Sequence, residues 1–457
     1  MDWKTLLNKD RPRPSTSSGD HRAQFERDFD RSVFSTPVKR LQDKAQVFPL
    51  EPHDAIRTRL THSLEVSSVA RGIATAVGKW LLEKGEIEPS MDRSIEAIAA
   101  TCGLIHDLGN PPFGHSGEDA IRGWFENRFG EEGLGGAFNS KGQLVQDFLK
   151  FEGNAQSLRL ISKLQILADF NGLNLTFGTL SASCKYIAPS HEAGTGGDHS
   201  KSKPGYFASE NKLIKQIRVS TGTGEARNPI TYLVEAADDI VYSVADVEDA
   251  VKKGVLAWSA VKTFLDEPNL EIVKRAFASM EHILKAGRPA VPKDLPDDVY
   301  ASAFRTSVIS IVVESVLKAF QKNYDAIRSG SYHGELVNDC DAAQLIDHLK
   351  KLGRAKVYST ASNLKLELMG RNVIWGLLDL FWEGAKDLPI EGPPKPKTFS
   401  GKAGALLSEN YRRVFQHFVK EVPELPENYH RMQLVTDYVC GMTDSFAKRL
   451  HAELTNG

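Results

Sequence analysis

The stretch Ser94–Glu118, SIEAIAATCGLIHDLGNPPFGHSGE, decides how the rest of the chain is read. Ile95, Ile98, Cys102 and Ile105 recur on one stripe at helical spacing, and the helix they define must stop where Gly109, Asn110, Pro111 and Pro112 break the backbone. His106 and Asp107 therefore fall in its last turn. Beyond the break, Ser116 and Asp119 have the spacing of a capping box, which predicts a new helix starting just after His115 with Glu118 in its first turn. A His and a Glu three residues apart can touch there. A carboxylate bonded to one ring nitrogen fixes the tautomer and raises the basicity of the imidazole, as general acid–base chemistry near neutral pH requires. The same spacing also suits a Glu that merely complements the helix dipole beside a turn histidine.

Helical patterns flank this stretch on both sides. Upstream, Val69, Ile73, Val77 and Leu81 recur at four-residue steps from Thr61 until Gly85, so His62 stands at the start of a helix. Downstream of Pro229, Leu233, Ala236, Ile240, Val244 and Val247 line one side of a helix, while Asp238, Tyr242 and Asp246 line the other at i, i+4, i+8. Few alternating runs appear apart from a short strand or hairpin expected near Leu175–Leu180. The fold class expected is mainly α. Three breaks punctuate it: the polar RPRPSTSSGD near the N-terminus, expected at the surface; Pro189–Gly205, expected to be a mobile loop; and Leu388–Ala405 ahead of the last helices.

Composition narrows the function. The 457 residues carry a net charge of −2, so no global positive field draws the chain to nucleic acid, and anion binding must come from locally placed Lys and Arg. Cys102, Cys184, Cys340 and Cys440 are scattered, which argues against a disulfide framework or a zinc knuckle. No apolar run of about 18 residues that could span a bilayer is found, so no membrane partner and a cytoplasmic location are expected.

Phosphoester hydrolysis assisted by a divalent cation needs imidazoles and carboxylates with positions left open for substrate. The candidates are His62, His106, Asp107 and one of the adjacent pair Asp238 and Asp239, which spacing alone does not separate. Each has an ordinary reading: a capping histidine, a polar helix end, a solvent-facing aspartate. The order of the longer motifs decides between them. RTRLTHSLEV (57–66), HDLGNPPFGHSGE (106–118), FEGNAQSLRL (151–160), GLNLTFGTL (172–180) and YLVEAADDIVYSVADVEDA (232–250) follow the order of the deoxyguanosine triphosphate triphosphohydrolase family, a branch of the HD superfamily, which the chain resembles. RSVFSTPVKRLQDKAQVFPLE (31–51) and DYVCGMTDSFAKRL (437–450) extend the resemblance over most of the chain from Arg31.

The resemblance implies an HD-type helical core over 31–255, preceded by a surface segment (1–30) and followed by a helical region (256–457) that packs on the core and supports a homo-oligomer. It implies a divalent metal (Mn, Mg, Co or Fe) on His62, His106, Asp107 and Asp238, with Asp238 chosen over Asp239 by its position after Ala in the superfamily's last motif. His115 and Glu118 match the family's catalytic pair. Arg59 and Lys185 match phosphate contacts, and Tyr242, Asp246 and Gln46 match contacts to the deoxyribose and its 3′-hydroxyl. Glu152, Asn154 and Gln156 would order the site wall, and the Lys203–Phe207 segment either closes over substrate or is an inert surface loop. The implied reaction converts a deoxynucleoside triphosphate to deoxynucleoside and tripolyphosphate, with a nucleotide or single-stranded DNA as candidate effector. One departure is Asn110, where the family commonly has a histidine. Asn carries no proton or positive charge at neutral pH, which raises the alternative of a catalytically reduced HD protein that binds a nucleotide or single-stranded DNA as a regulator.

Overall fold

The computed structural model describes residues 1–455 apart from 15–20, 52, 132–140, 166–168, 195, 268, 293 and 359. The described residues are mainly helical, as the periodicity predicts, and their one sheet is a two-stranded parallel pair, Ala188–Pro189 beside Pro204–Tyr206.

Three helices form the frame that carries the chemistry. Arg59–Glu83 starts where the Thr58 hydroxyl accepts the Thr61 N–H; Met91–Ile105 runs back against it; and Pro229–Lys252, begun by Pro229 with Asn228 as cap, packs across both. The first two approach closely because Gly103 has no side chain: a Cβ there would lie 2.7 Å from the Ser67 Cα. Val66, Ile73, Val77, Ile95, Ile98, Leu233, Ile240 and Val244 are fully or almost fully buried between these helices, each burial contributing about 1.5–3 kcal/mol. The long helix Asp297–Ser329 covers the outer side of Pro229–Lys252.

A second apolar cluster forms around His115–Glu131, Ala361–Lys386 and Glu427–Cys440, with Trp124, Phe125, Ile374, Phe381 and Tyr429 at its centre. Both clusters draw residues from either side of position 255. Among the described residues, no helix is long and apolar enough to cross a membrane.

The structure departs from expectation in four places. Leu175–Leu180 is not a strand: Phe177–Ala182 is a helix capped by Thr176, and buried Asp28 accepts the hydroxyls of Thr176 and Thr179. The N-terminus is not all surface, because Trp3, Leu6 and Leu7 are buried and the Trp3 indole donates to the Tyr324 hydroxyl. Of the polar stretch 11–20, Arg11 is buried on Asp28, while 15–20 lies outside the described residues. Pro189–Gly205, expected to be a mobile loop, holds strand ends and a short helical turn (His199–Lys201), and Lys150 and Lys201 tie its backbone at Ala193 and Gly194. The break after Leu388 is real but shorter, since Phe399–Leu406 is helical.

Candidate active site

The capped start of Arg59–Glu83 places Arg59 and His62 one turn apart, and the Gly103 crossing brings the end of Met91–Ile105 beside them. Pro229–Lys252 supplies the third wall. His62 Nε2 lies 3.2 Å from Asp238 Oδ1, and His106 Nε2 lies 3.5 Å from that same oxygen and 3.5 Å from Asp107 Oδ2. Asp239 points elsewhere and pairs with Lys350 at 2.7 Å. Among the two adjacent aspartates it is thus Asp238 that faces the histidines.

The donor chemistry fits a cation. His106 Nδ1 is 2.7 Å from the Gly103 carbonyl, so it carries the proton, and in the neutral ring Nε2 turns a lone pair toward two carboxylates. Acceptors crowded in this way need positive charge between them. With no cation present a proton on His106 takes that place: burial disfavours the charged ring, yet Asp107 and Asp238 outweigh it and lift its pKa to about 9. Burial also acts to raise Asp107 and Asp238, but His106 overrides it and holds both well below the usual carboxylate range.

Asp107 is gripped from two sides. Arg59 donates to its Oδ2 at 2.6 Å and the Asn110 amide to its Oδ1 at 2.6 Å. Asn110 therefore orients an acidic member of the cluster. Lys185 Nζ reaches Asp238 Oδ2 at 3.6 Å.

His115 opens its helix (His115–Glu131) and donates from Nδ1 to Glu118 Oε2 at 2.9 Å, while the other Glu118 oxygen accepts the Gly153 N–H at 2.8 Å. The Glu118 carboxylate is buried whereas 84% of the His115 side chain is exposed, so the imidazole stands at the mouth of the site on a buried anionic support. The hydrogen bond to Glu118 raises the His115 pKa above that of a free imidazole. Gly153 permits the arrangement: a Cβ there would lie 2.9 Å from Glu118 Oε1 and 2.3 Å from Asn110 Oδ1.

One cavity of about 500 Å³ is lined by His106, Asp107, Asp238 and His115, and Gln46, Arg59, Lys185, Tyr242 and Asp246 line it too; the size suits a small-molecule ligand. In its lining, Gln46 Oε1 and Asp246 Oδ1 are buried acceptors with no hydrogen-bond partner. Such atoms cost about 1–3 kcal/mol each unless a donor reaches them.

Some lining residues were not assigned from sequence. Tyr358, from the turn Gly353–Tyr358, stacks on Tyr242 (6.4 Å, 11°), donates its hydroxyl to the Asp246 carboxylate and lies 2.8 Å from the Tyr242 hydroxyl, whose proton its oxygen accepts. No periodic or motif signal marks it. Lys203, from the segment read as either a closing element or an inert loop, lines the cavity and pairs with Glu152 at 3.2 Å. Gln156 does not line the cavity; it donates to buried Asp437 beneath.

Residues 59–151 match the HD domain, and residues 406–453 match the phosphohydrolase-associated domain. The chain is 36% identical to a deoxyguanosinetriphosphate triphosphohydrolase-like protein of Listeria monocytogenes, covering 99% of both chains. It is 32% identical to the deoxyguanosinetriphosphate triphosphohydrolase of Yersinia enterocolitica over 98% of this chain and 97% of the relative, and 33% identical to a deoxyguanosinetriphosphate triphosphohydrolase-like protein of Pseudomonas aeruginosa over 100% and 99%. With an HD motif folded into a donor cluster and relatives matched end to end, this chain belongs to the deoxyguanosinetriphosphate triphosphohydrolase family of HD-domain enzymes.

Proposed function

We propose that the enzyme hydrolyses deoxynucleoside triphosphates at the α-phosphorus, releasing deoxynucleoside and inorganic tripolyphosphate. The observation that carries this reading is that one cavity is lined by His106, Asp107 and Asp238, with His62 3.2 Å from Asp238, by an exposed histidine on a buried carboxylate, and by the two unpartnered acceptors Gln46 Oε1 and Asp246 Oδ1.

His62, His106, Asp107 and Asp238 would hold a divalent cation. Bound there, it would supply Lewis-acid polarisation of a phosphoryl oxygen and a more acidic water. The chain's own groups do the rest. Arg59 and Lys185 offset the charge of the triphosphate, each exchanging a carboxylate partner for phosphate oxygens. His115, held charged by Glu118, donates its proton to the departing 5′-oxygen. Gln46 and Asp246 receive the sugar hydroxyl, and the Tyr242 ring against C2′ leaves no space for a ribose hydroxyl.

The test is turnover of the four dNTPs and GTP with Mn, Mg or Co, with products identified by ion-exchange chromatography. Deoxynucleoside and tripolyphosphate in equal amounts are expected, with GTP spared. Pyrophosphate or orthophosphate as the sole inorganic product would reject the cleavage point.

A further inference from the structure

We propose that Asp444, in the phosphohydrolase-associated region, is a positioning residue for the active site: its two oxygens fix the backbone that presents His115 and the backbone that presents Gln46. The roles of those two residues rest on the reading above; the geometry does not.

Asp444 is the first residue of the helix Asp444–Thr455, where an aspartate ordinarily serves its own helix end. Here both oxygens are engaged far away in sequence. Oδ1 accepts the Phe113 N–H at 2.9 Å, 331 residues distant, and Oδ2 accepts the Ala45 N–H at 3.0 Å, 399 residues distant. The residue is only 2% exposed, so these bonds are shielded from water.

Both anchored segments need holding. Phe113 (φ 64°) and Gly114 (φ 60°) are consecutive left-handed residues directly ahead of His115. For Phe113 that conformation costs about 1–2 kcal/mol, and it is kept only if the surroundings impose it. Gly114 has no slack, since a Cβ would sit 2.8 Å from the Arg59 guanidinium. Ala45 forms an isolated antiparallel bridge with Thr58, and the Lys44 carbonyl accepts the Arg59 N–H at 2.9 Å, so the strip carrying Gln46 is continuous with the cap of the His62 helix. The same C-terminal turn makes a third contact: buried Lys44 donates to the carbonyls of Asn110 (2.6 Å) and Cys440 (2.8 Å). Residues 440–444 thus brace the site through the backbone at 44–45, 110 and 113 rather than through the four cluster side chains. An amide at position 444 accepts at only one oxygen and turns an N–H₂ toward the other backbone donor.

The experiment compares D444N and D444A with the wild type, using Ser445→Ala as the neighbouring control, and reads kcat, KM, metal per chain and melting temperature. D444N is expected to keep its metal and fold while kcat falls roughly tenfold to a hundredfold, the scale of a misplacement near 1 Å, with KM rising through Gln46. A kcat loss no larger than the loss of folded, metal-loaded protein would overturn the proposal, as would unchanged kcat and KM. Hydrogen exchange on the wild type reads it without any variant: the Phe113 and Ala45 amides must be protected, and free exchange at either overturns it. If the wild type yields no tripolyphosphate from any dNTP, the functional reading fails, while the exchange data and a D444N crystal structure, with His115 moved off Glu118 and the His62–Asp238 distance kept, still judge the brace.

Discussion

Replacing each of the adjacent aspartates by asparagine separates two roles that lie one residue apart. Asp238 places one oxygen 3.2 and 3.5 Å from the two imidazoles, and Asp239 pairs with Lys350. D238N removes a half-buried anion (23% exposed) from a cluster whose other members are then left with an unbalanced arrangement of charge, a change of at most about 3–5 kcal/mol, the cost of breaking a fully buried pair. At 1.4 kcal/mol per decade this is roughly a two- to three-and-a-half-decade loss of cation affinity. D239N breaks a partly exposed pair worth about 0–1 kcal/mol, which in a chain of this length shifts the melting temperature by about 1 °C and leaves cation affinity within about twofold. The assay is Mn titration followed by calorimetry or paramagnetic relaxation, with metal content by mass spectrometry. Metal retained at wild-type affinity in D238N but lost in D239N would refute the reasoning outright.

Three further outcomes follow from the same geometry. The Glu118 bond raises the His115 pKa, so the acid stays protonated to higher pH in the wild type; E118Q is expected to move the alkaline limb of the kcat–pH profile downward, and an unmoved limb would remove Glu118 from that role. Y358F deletes the hydroxyl that bonds both Tyr242 and Asp246 and is expected to raise KM for a dNTP roughly two- to tenfold, the value of about one hydrogen bond, with kcat largely kept; initial-rate kinetics decides. Burial lifts buried Asp147 from 3.8 to about 7, the contributions of Ser190, Ala208 and Tyr429 opposing it. A raised folded-state pKa means stability present below pH 3.8 and lost as pH rises through about 7. D147N is therefore expected to flatten the fall in melting temperature between about pH 4 and 7, and an unchanged slope would contradict the assignment.

The frame and most of the site were legible because their signals are local. Periodicity at Ile95–Ile105 and Leu233–Val247, and breakers at Gly109–Pro112, place His106, Asp107 and Asp238 on helix ends and faces whatever the tertiary context. The convergence itself was supplied by the family resemblance, since nothing local states that residues 62 and 238 meet. Where tertiary partners decide, the reading went astray. Leu175–Leu180 has the β-prone composition of a strand, but Asp28 recruits Thr176 and Thr179 into a helix cap. Trp3 is buried against a tyrosine 321 residues away, beyond any window. Tyr358 and Asp444 each make two long-range hydrogen bonds, which leave no periodic trace; the second lay inside a segment noted only as a family signature.

The most direct test of the central claim is hydrolysis of a dNTP in ¹⁸O-water with ³¹P NMR of the products. Attack at the α-phosphorus, with His115 protonating the 5′-oxygen, places the label in one terminal phosphate of tripolyphosphate and none in the deoxynucleoside. Label in the 5′-hydroxyl, or in orthophosphate alone, would contradict it.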